Sequence, residues 1–226
     1  MLVCSFLESE ARAMVFRYPR IYPILDASIL PLTGRPQFLR KLGDALTKSG
    51  VRLLEFRNKI SSTADLLKES VALREAMPPD KVKLILDDRE DLVLEAGFDG
   101  VHLDSGDVPP SEARWLLCPE KIIGTFGGSG SLLPGVFTEP ANYFAIGPVF
   151  ETRTKQTTKK PIGVEGVRKL RTEAGHGVVL SAAGGITFET AQAVLDAGVN
   201  MVAVSEAIFH TSDPAAEFRR WKDQFG

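Results

Sequence analysis

Three charged side chains alternate along one apolar run of the sequence, LEFRNK at 54–59. Successive side chains of a strand point to opposite faces, so Glu55, Arg57 and Lys59 share a face. Burying charges is costly unless they meet partners or an anionic ligand. The pattern therefore predicts either an internal ion pair of Glu55 with one of the two cations or an anion-binding site, and these residues alone favour neither.

Acidic residues follow the next two apolar runs. Asp87 and Asp88 end one run, and Asp104 and Asp107 follow the other. Loops after adjacent parallel strands are neighbours, so one carboxylate from each could share a hard cation, and Mg²⁺ prefers one or two carboxylates together with phosphate oxygens. Aspartates at these positions can also cap helices, as Asp107 would before Pro109-Pro110. For Asp104 the capping interpretation is favoured.

A long loop follows the sixth apolar run, GPVFETRTKQTTKKPIG at 147–163. Loops of this length are uncommon between barrel elements and often cover a substrate. Thr152, Thr154 and Lys155 offer hydroxyl and ammonium donors for a phosphate. A solvated surface loop would have a similar composition, so this feature is suggestive only in combination with others.

A glycine pair, Gly184-Gly185, ends the seventh run and precedes a helix. Paired glycines let the backbone approach a phosphate, and backbone amides there point at the anion. The pair could also make only a tight turn. Its place after the seventh strand favours phosphate binding, because the loops after strands seven and eight form the recurrent phosphate site of the (β/α)8 barrel.

These residues need a scaffold that brings strand ends together. Eight strand-like runs alternate with amphipathic stretches, at 22–27, 52–57, 83–88, 100–104, 121–126, 143–150, 178–184 and 201–205. The stretches predicted as helices are 37–48, 63–76, 110–117, 164–172, 187–197 and 214–225, with 90–97 and 131–138 shorter. Alternation of this kind is typical of a parallel sheet covered by helices. An open doubly wound sheet lacks support, because no G-x-G-x-x-G follows the first run.

We therefore predict an α/β fold, a single (β/α)8 TIM barrel over residues 19–226, preceded by a short helical extension at 1–18. Net charge is −2, which argues against a nucleic-acid partner. The two cysteines, Cys4 and Cys118, lack metal-ligand spacing. No apolar run reaches the length of a membrane span, and the first residues make a poor signal peptide. A cytoplasmic protein that acts on small molecules, with a homo-oligomer left open, is the expectation.

Several blocks now converge on one family. LEFRNK, LILDDRED, GVHLDSGDVP, KIIGTF, YFAIGPVFETRTK, PIGVEGV, AAGGIT and VAVSEAIF resemble, in order and spacing, the successive blocks of thiamine phosphate synthases. The resemblance runs from about Tyr22 to Phe209. It implies an Mg²⁺-dependent transferase that joins hydroxymethylpyrimidine diphosphate to thiazole phosphate. The implied mechanism is dissociative, with diphosphate leaving before the thiazole nitrogen attacks.

The resemblance also implies roles for individual residues. Arg57, Lys59 and Lys155 would bind diphosphate as the catalytic cations, and Asp88 and Asp107 would hold Mg²⁺. The residues implied to contact the substrates are Glu55, Asp87, Thr152, Thr154, Gly184, Gly185 and Ser205.

Some positions depart from the family pattern. Glu55 replaces a glutamine, Asp87 an asparagine, Phe126 a serine, and Glu206 a serine near the thiazole phosphate. Two of these replacements, Glu55 and Asp87, add negative charge near the diphosphate and oppose its binding. One charge pair at 4 Å near a surface contributes about 4 kcal/mol before desolvation. We expect Glu206 to point away from the phosphate or to pair with a lysine such as Lys159 or Lys160.

Three functions therefore remain open: a synthase with a modified pyrimidine pocket, a related thiazole tautomerase, and a non-catalytic protein that binds a phosphorylated ligand. The tautomerase is disfavoured because its histidine after the fifth strand is Gly128 here, and His102 is interpreted as a core residue. Schiff-base aldolases are set aside, because YFAIGPVF and VVLSAAG contain no lysine.

Overall fold

The structure, a computed structural model, describes residues 16–152 and 158–226. Eight parallel strands pair in sequence order, and β8 closes onto β1, so the sheet is a barrel as predicted. The strands are β1 Ile21–Asp26, β2 Leu53–Arg57, β3 Lys83–Asp87, β4 Gly100–Leu103, β5 Ile122–Gly128, β6 Tyr143–Ile146, β7 Leu180–Ala183 and β8 Met201–Val204. Each strand begins within two residues of its predicted first residue, and β6 ends four residues earlier than predicted.

Helices surround the strands on the outside of the barrel. They are α1 Arg35–Ser49, α2 Thr63–Ala76, α3 Pro110–Leu116, α4 Gly163–Ala174, α5 Phe188–Asp196, α6 Glu206–Phe209 and α7 Pro214–Phe225. The two short stretches expected as helices, 90–97 and 131–138, are not α-helical. They contain only the 3-10 turns Glu90–Leu92 and Val136–Thr138. In the second stretch, Pro134 and Gly135, which has φ of 68°, interrupt the predicted helix.

Two apolar layers hold the barrel together. The larger layer lies between strands and helices and contains Leu54 and Phe56 of β2. The smaller layer fills the barrel interior with Tyr22, Leu53, Ile85, Ile122, Tyr143, Met201 and Ala203. The alternation is confirmed within β2, because Glu55 and Arg57 face the interior cavity while Leu54 and Phe56 face the helices. Lys59, predicted on the same face, follows the end of the strand and does not line the cavity.

Residues 16–18 precede β1 and lie against the barrel interior. Phe16 and Tyr18 pack onto the inner apolar layer, and the rings of Tyr18 and Tyr143 meet edge to face with centroids 5.9 Å apart. These three residues have no regular secondary structure. The rest of the helix predicted for 1–18 lies outside the described residues. Within the described part of the chain, no helix is long and apolar enough to cross a membrane.

Candidate active site at the barrel mouth

One cavity of about 480 Å³ opens inside the barrel, and all eight strands or the loops that follow them contribute to its lining. Polar lining residues come from both halves of the chain: Asp26, Glu55, Arg57, Asp87, His102, Asp104, Glu151, Thr152, Lys159, Ser181, Thr187, Ser205 and Glu206. This volume accommodates a small organic ligand. The cavity is therefore the candidate active site.

Arg57 and Lys59 meet aspartates of the neighbouring strands. The Arg57 guanidinium pairs with Asp26 at the end of β1 and lies 3.5 Å from Asp87 Oδ2 at the end of β3. Lys59 Nζ lies 3.1 Å from the same Asp87 oxygen and also pairs with Asp88. The internal ion pair expected as one possibility thus exists, but its acidic partners are aspartates rather than Glu55.

The opposite charges of Arg57 and the two aspartates stabilise one another. Although burial acts against the charged form of Arg57, the carboxylates of Asp87 and Asp26 raise its pKa above the ordinary value. Burial likewise opposes the charge of Asp26, but hydrogen bonds from Ser28 and the Arg57 pair hold its pKa below the usual value. Sequence reasoning missed Asp26, and an acidic residue at the carboxyl end of the first strand was the signal available.

Glu55 lies on the floor of the cavity, 3% exposed. Tyr22 donates a hydrogen bond of 2.7 Å to Glu55 Oε2, and the hydroxyls of Tyr22 and Tyr143 are 2.8 Å apart. The chain of contacts continues to His102, whose Nδ1 lies 3.1 Å from the Tyr143 hydroxyl. Burial, reinforced by the nearby Asp87 carboxylate, raises the pKa of Glu55 to about 8.

The order of protons along this chain follows from the number of donors. Each phenol has one proton, so when Tyr22 donates to Glu55 it must accept from Tyr143, and Tyr143 must then accept from a protonated Nδ1 of His102. Burial, and next to it the Glu55 charge, raises the pKa of both tyrosines well above 10, so neither phenol ionises near neutral pH. His102 is thus a buried residue that also lines the cavity, coupled to Glu55 through two hydroxyls.

Three aspartates form an acidic cluster at the ends of β3 and β4. One carboxylate oxygen from each of Asp87, Asp88 and Asp104 lies within 4.8 Å of the others. Asp88 adopts a left-handed backbone with φ of 64°, an uncommon conformation that recurs at functional sites. Its Oδ1 is buried without a hydrogen-bond partner among the described residues. Hard carboxylate oxygens, one of them unsatisfied, fit a divalent cation such as Mg²⁺.

Asp104 and Asp107 have roles that differ from the sequence interpretation. Helix α3 begins after Pro109, so neither aspartate caps it. Asp104 lines the cavity and belongs to the acidic cluster, whereas Asp107 Oδ2 accepts a 2.6 Å hydrogen bond from the Asp104 backbone amide. The helix-capping interpretation of both residues is therefore wrong, and a metal-binding role for Asp107 stays a prediction.

The glycine pair packs against the start of the long loop. A Cβ atom on Gly184 would lie 2.6 Å from Pro148, and one on Gly185 would lie 2.2 Å from the carbonyl oxygen of Glu151. Both glycines have positive φ, 98° and 64°, and both line the cavity. The close approach of the loop thus explains why no side chain is tolerated at either position, and it leaves their backbones facing the candidate ligand.

Other predicted site residues are distributed around the same cavity. Thr152 and Ser205 line it, and Ser205 directly precedes the short helix α6. Glu206 also lines it, and its nearest described ionic partner is His210 at 3.6 Å rather than a lysine. Thr154 and Lys155 lie outside the described residues. The cavity therefore gathers the described candidates from β2, β3, β6, β7 and β8, except that Lys59 and Asp88, which pair with each other, are not among its lining residues.

Comparison with known proteins identifies the family of this chain. A family model described as "Thiamine monophosphate synthase" matches residues 21–208. The chain belongs to this family. It is 35% identical to the thiamine-phosphate synthase of Koribacter versatilis over 89% of this chain and 95% of that protein. It is 36% identical to the one from Leptospira biflexa, over 86% and 95%.

A solved structure agrees with these relatives. The thiamine phosphate pyrophosphorylase from Pyrococcus furiosus is similar to this chain, with a TM-score of 0.75 and 26% identity, over 91% of this chain and 96% of that chain.

The backbone at Gly128 bears on the alternative tautomerase function. In the present protein Gly128 has φ of 147°, and a Cβ atom there would lie 2.3 Å from the carbonyl oxygen of Ser131. No histidine can occupy that position in this backbone, which disfavours the tautomerase further.

Proposed function

We propose that this protein is a thiamine phosphate synthase, a transferase that couples hydroxymethylpyrimidine diphosphate to thiazole phosphate. The bond between the pyrimidine methylene carbon and the diphosphate oxygen breaks, and its electron pair leaves with diphosphate. The thiazole nitrogen lone pair then forms the new carbon–nitrogen bond, which yields thiamine phosphate. Such chemistry needs a stabilised leaving group and two reactants held in line.

The observation that supports this proposal is one cavity that joins two arcs of candidate phosphate-binding residues. Arg57 and the acidic cluster lie on the β2–β4 side, and Gly184, Gly185 and Ser205 lie on the β7–β8 side. A diphosphate on the first arc and a monophosphate on the second would leave the two rings between them, over the cavity floor that Glu55 lines.

Leaving-group stabilisation would come from the first arc. Arg57 is held from both sides by Asp26 and Asp87, so its guanidinium is pre-oriented for diphosphate oxygens. Lys59 would exchange part of its pairing with Asp88 for the ligand, and Lys155 is proposed as the third cation. Mg²⁺ bound by Asp88, with Asp107 or Asp104, would supply further neutralisation of the leaving diphosphate.

Glu55 would recognise the aminopyrimidine. With its pKa raised to about 8 by burial and by Asp87, the side chain is mostly protonated at neutral pH. A neutral carboxyl group offers one donor and one acceptor, the same pair that a glutamine amide offers to an exocyclic amine and an adjacent ring nitrogen. The negative charge that Glu55 would add beside the diphosphate is therefore largely absent at neutral pH, and Asp87 is proposed as a second polar contact.

The second arc would hold the thiazole phosphate. Thr152, Thr154, Gly184, Gly185 and Ser205 are proposed to bind its phosphate and surroundings, with backbone amides as the main donors. Residues 19–226 are proposed as the catalytic domain and 1–18 as an extension to it.

The decisive experiment mixes purified protein with both substrates and Mg²⁺ and measures thiamine phosphate by chromatography and mass spectrometry. Product formation that depends on both substrates and on a divalent cation supports the proposal. Binding of either substrate without product, under conditions in which a known synthase turns over, would replace it with the ligand-binding function. Arg89→Ala is a matched control for variants of Arg57, because Arg89 is a surface arginine paired with Asp91.

A further inference from the structure

One cation that lines the cavity, Lys159, has no role in the proposed function. Six acidic side chains line it: Asp26, Glu55, Asp87, Asp104, Glu151 and Glu206. Among the described lining residues only two are lysine or arginine, Arg57 and Lys159. Since Arg57 is already shared between two aspartates, Lys159 is the second source of positive charge for an anionic ligand in this part of the cavity.

Lys159 is held in place by an aromatic ring from another strand. Its Nζ lies 3.5 Å from the centroid of the Phe126 ring, within cation–π distance. Phe126 belongs to β5, whereas Lys159 comes from the loop between β6 and α4, so the contact joins two different segments at the cavity wall. A flexible lysine restrained in this way loses less side-chain freedom when it binds a ligand.

The ends of the loop that carries Lys159 are also fixed. The backbone amide of Ile162 donates to Pro148 at 2.9 Å, and that of Gly163 donates to Val149 at 2.9 Å. Phe150 in turn donates to the Gly184 carbonyl at 3.0 Å. These bonds close the loop at its base beside the glycine pair, and Lys159 lines the same cavity as both arcs.

We infer that Lys159, oriented by Phe126, binds the diphosphate of the pyrimidine substrate from the β5–β6 side, opposite Arg57. This inference rests on the proposed function, since it names a further ligand for the same leaving group. Phe126 then acts as a positioning residue, because its ring contacts the ammonium group and its apolar edge offers no hydrogen bond to phosphate. Lys159 and Phe126 together would bind diphosphate through the charge of the lysine, whereas a hydroxyl at position 126 would bind it through a hydrogen bond.

The test is calorimetric titration of the full chain with inorganic diphosphate in the presence of Mg²⁺, which needs no turnover. Lys159→Met keeps the apolar stem and removes the charge, and we expect the Kd to rise about fivefold to tenfold. Lys160→Met removes a neighbouring surface charge that does not line the cavity, and should change the Kd less than twofold. Lys159→Arg keeps charge and ring stacking and should retain most of the affinity.

Phe126→Leu separates orientation from charge, and should raise the Kd by about threefold. A Lys159→Met protein that binds diphosphate as the wild type does, or a Lys160→Met protein that loses as much, overturns the inference. So does a wild type that binds no diphosphate, or a Lys159→Met loss confined to a parallel titration with thiazole phosphate. If the wild type makes no thiamine phosphate, the proposed function fails, yet these titrations still decide whether Lys159 binds diphosphate.

Discussion

The hydroxyl of Tyr22 donates a hydrogen bond of 2.7 Å to Glu55 Oε2, and both residues are buried in the barrel interior. This bond favours the charged form of Glu55, but burial and the carboxylates of Asp87 and Asp104 outweigh it, and Arg57 opposes them only weakly. Glu55 therefore keeps its proton well above the pH at which an exposed glutamate loses it. A proton retained in the folded state makes stability depend on pH.

Glu55→Gln should remove part of that dependence. The pKa of Glu55 is about 8 in the folded protein and near 4.5 when unfolded, so the folded state binds one more proton between these values. The contribution of this proton to the free energy of unfolding is fully present below about pH 4.5 and is lost as the pH rises through about 8. Its size is on the order of a few kcal/mol. We therefore expect the wild type to lose more thermal stability than Glu55→Gln between pH 5.5 and 8.5.

Thermal unfolding at both pH values measures this difference, with Glu75→Gln as control because Glu75 is an exposed residue of α2. Equal pH dependence in wild type and Glu55→Gln would show that Glu55 ionises normally. The control should follow the wild type at both pH values.

Arg57→Ala should lower kcat/KM by about 100-fold or more, because it removes a pre-oriented cation from the leaving diphosphate. Asp26→Asn should cost less, about fivefold to tenfold, since it loosens the guanidinium without removing it. Steady-state kinetics with the pyrimidine substrate varied would measure both. A loss for Arg89→Ala that equals the loss for Arg57→Ala would contradict this assignment.

The choice of magnesium ligand can be decided between Asp104 and Asp107. Asp104 belongs to the acidic cluster, whereas Asp107 accepts a hydrogen bond from the Asp104 amide. Asp88→Asn and Asp104→Asn should each raise the Mg²⁺ concentration for half-maximal activity by about tenfold or more, because each removes an anionic ligand. Asp107→Asn retains an oxygen that can accept the same hydrogen bond, so we expect a smaller increase.

Activity titrated with Mg²⁺ for the three variants gives the ranking. If Asp107→Asn raises the Mg²⁺ requirement and Asp104→Asn leaves it unchanged, the family-derived assignment of Asp107 is correct and Asp104 is not a ligand.

The sequence predicts the barrel because the alternation of apolar runs with amphipathic stretches can be recognised from neighbouring residues alone. The same alternation predicts that Glu55 and Arg57 share the interior face. By contrast, the Tyr22–Tyr143 contact joins residues 121 positions apart. It depends on which strands are opposite each other across the closed barrel, which no local pattern contains. The placement of Asp104 and Asp107 depends on one tight turn after β4, and their residue types suit either role.

A buried cluster beneath Lys59 gives the last prediction. Glu69 of α2, 3% exposed, accepts a 2.6 Å hydrogen bond from the Asn58 amide and lies 3.5 Å from the Arg35 guanidinium. Asn58 Oδ1 in turn accepts from the backbone amides of Ile60 and Ser61, at 3.1 Å and 3.0 Å. Glu69 therefore fixes the turn that carries Lys59 out of β2 toward the acidic cluster.

Glu69→Ala should destabilise the protein by about 3 kcal/mol, because it removes the carboxylate that pairs with the partly buried Arg35 and accepts a hydrogen bond from the buried Asn58 amide. It should also raise the KM for the pyrimidine diphosphate more than the KM for thiazole phosphate, since the loosened turn lies on the diphosphate side. Glu75 lies on the same helix as Glu69, and Glu75→Ala removes its exposed pair with Arg40 of α1. The cost of this change should stay below about 1 kcal/mol. Denaturant unfolding and two-substrate kinetics measure these effects; an equal rise in both KM values would assign Glu69 to stability alone.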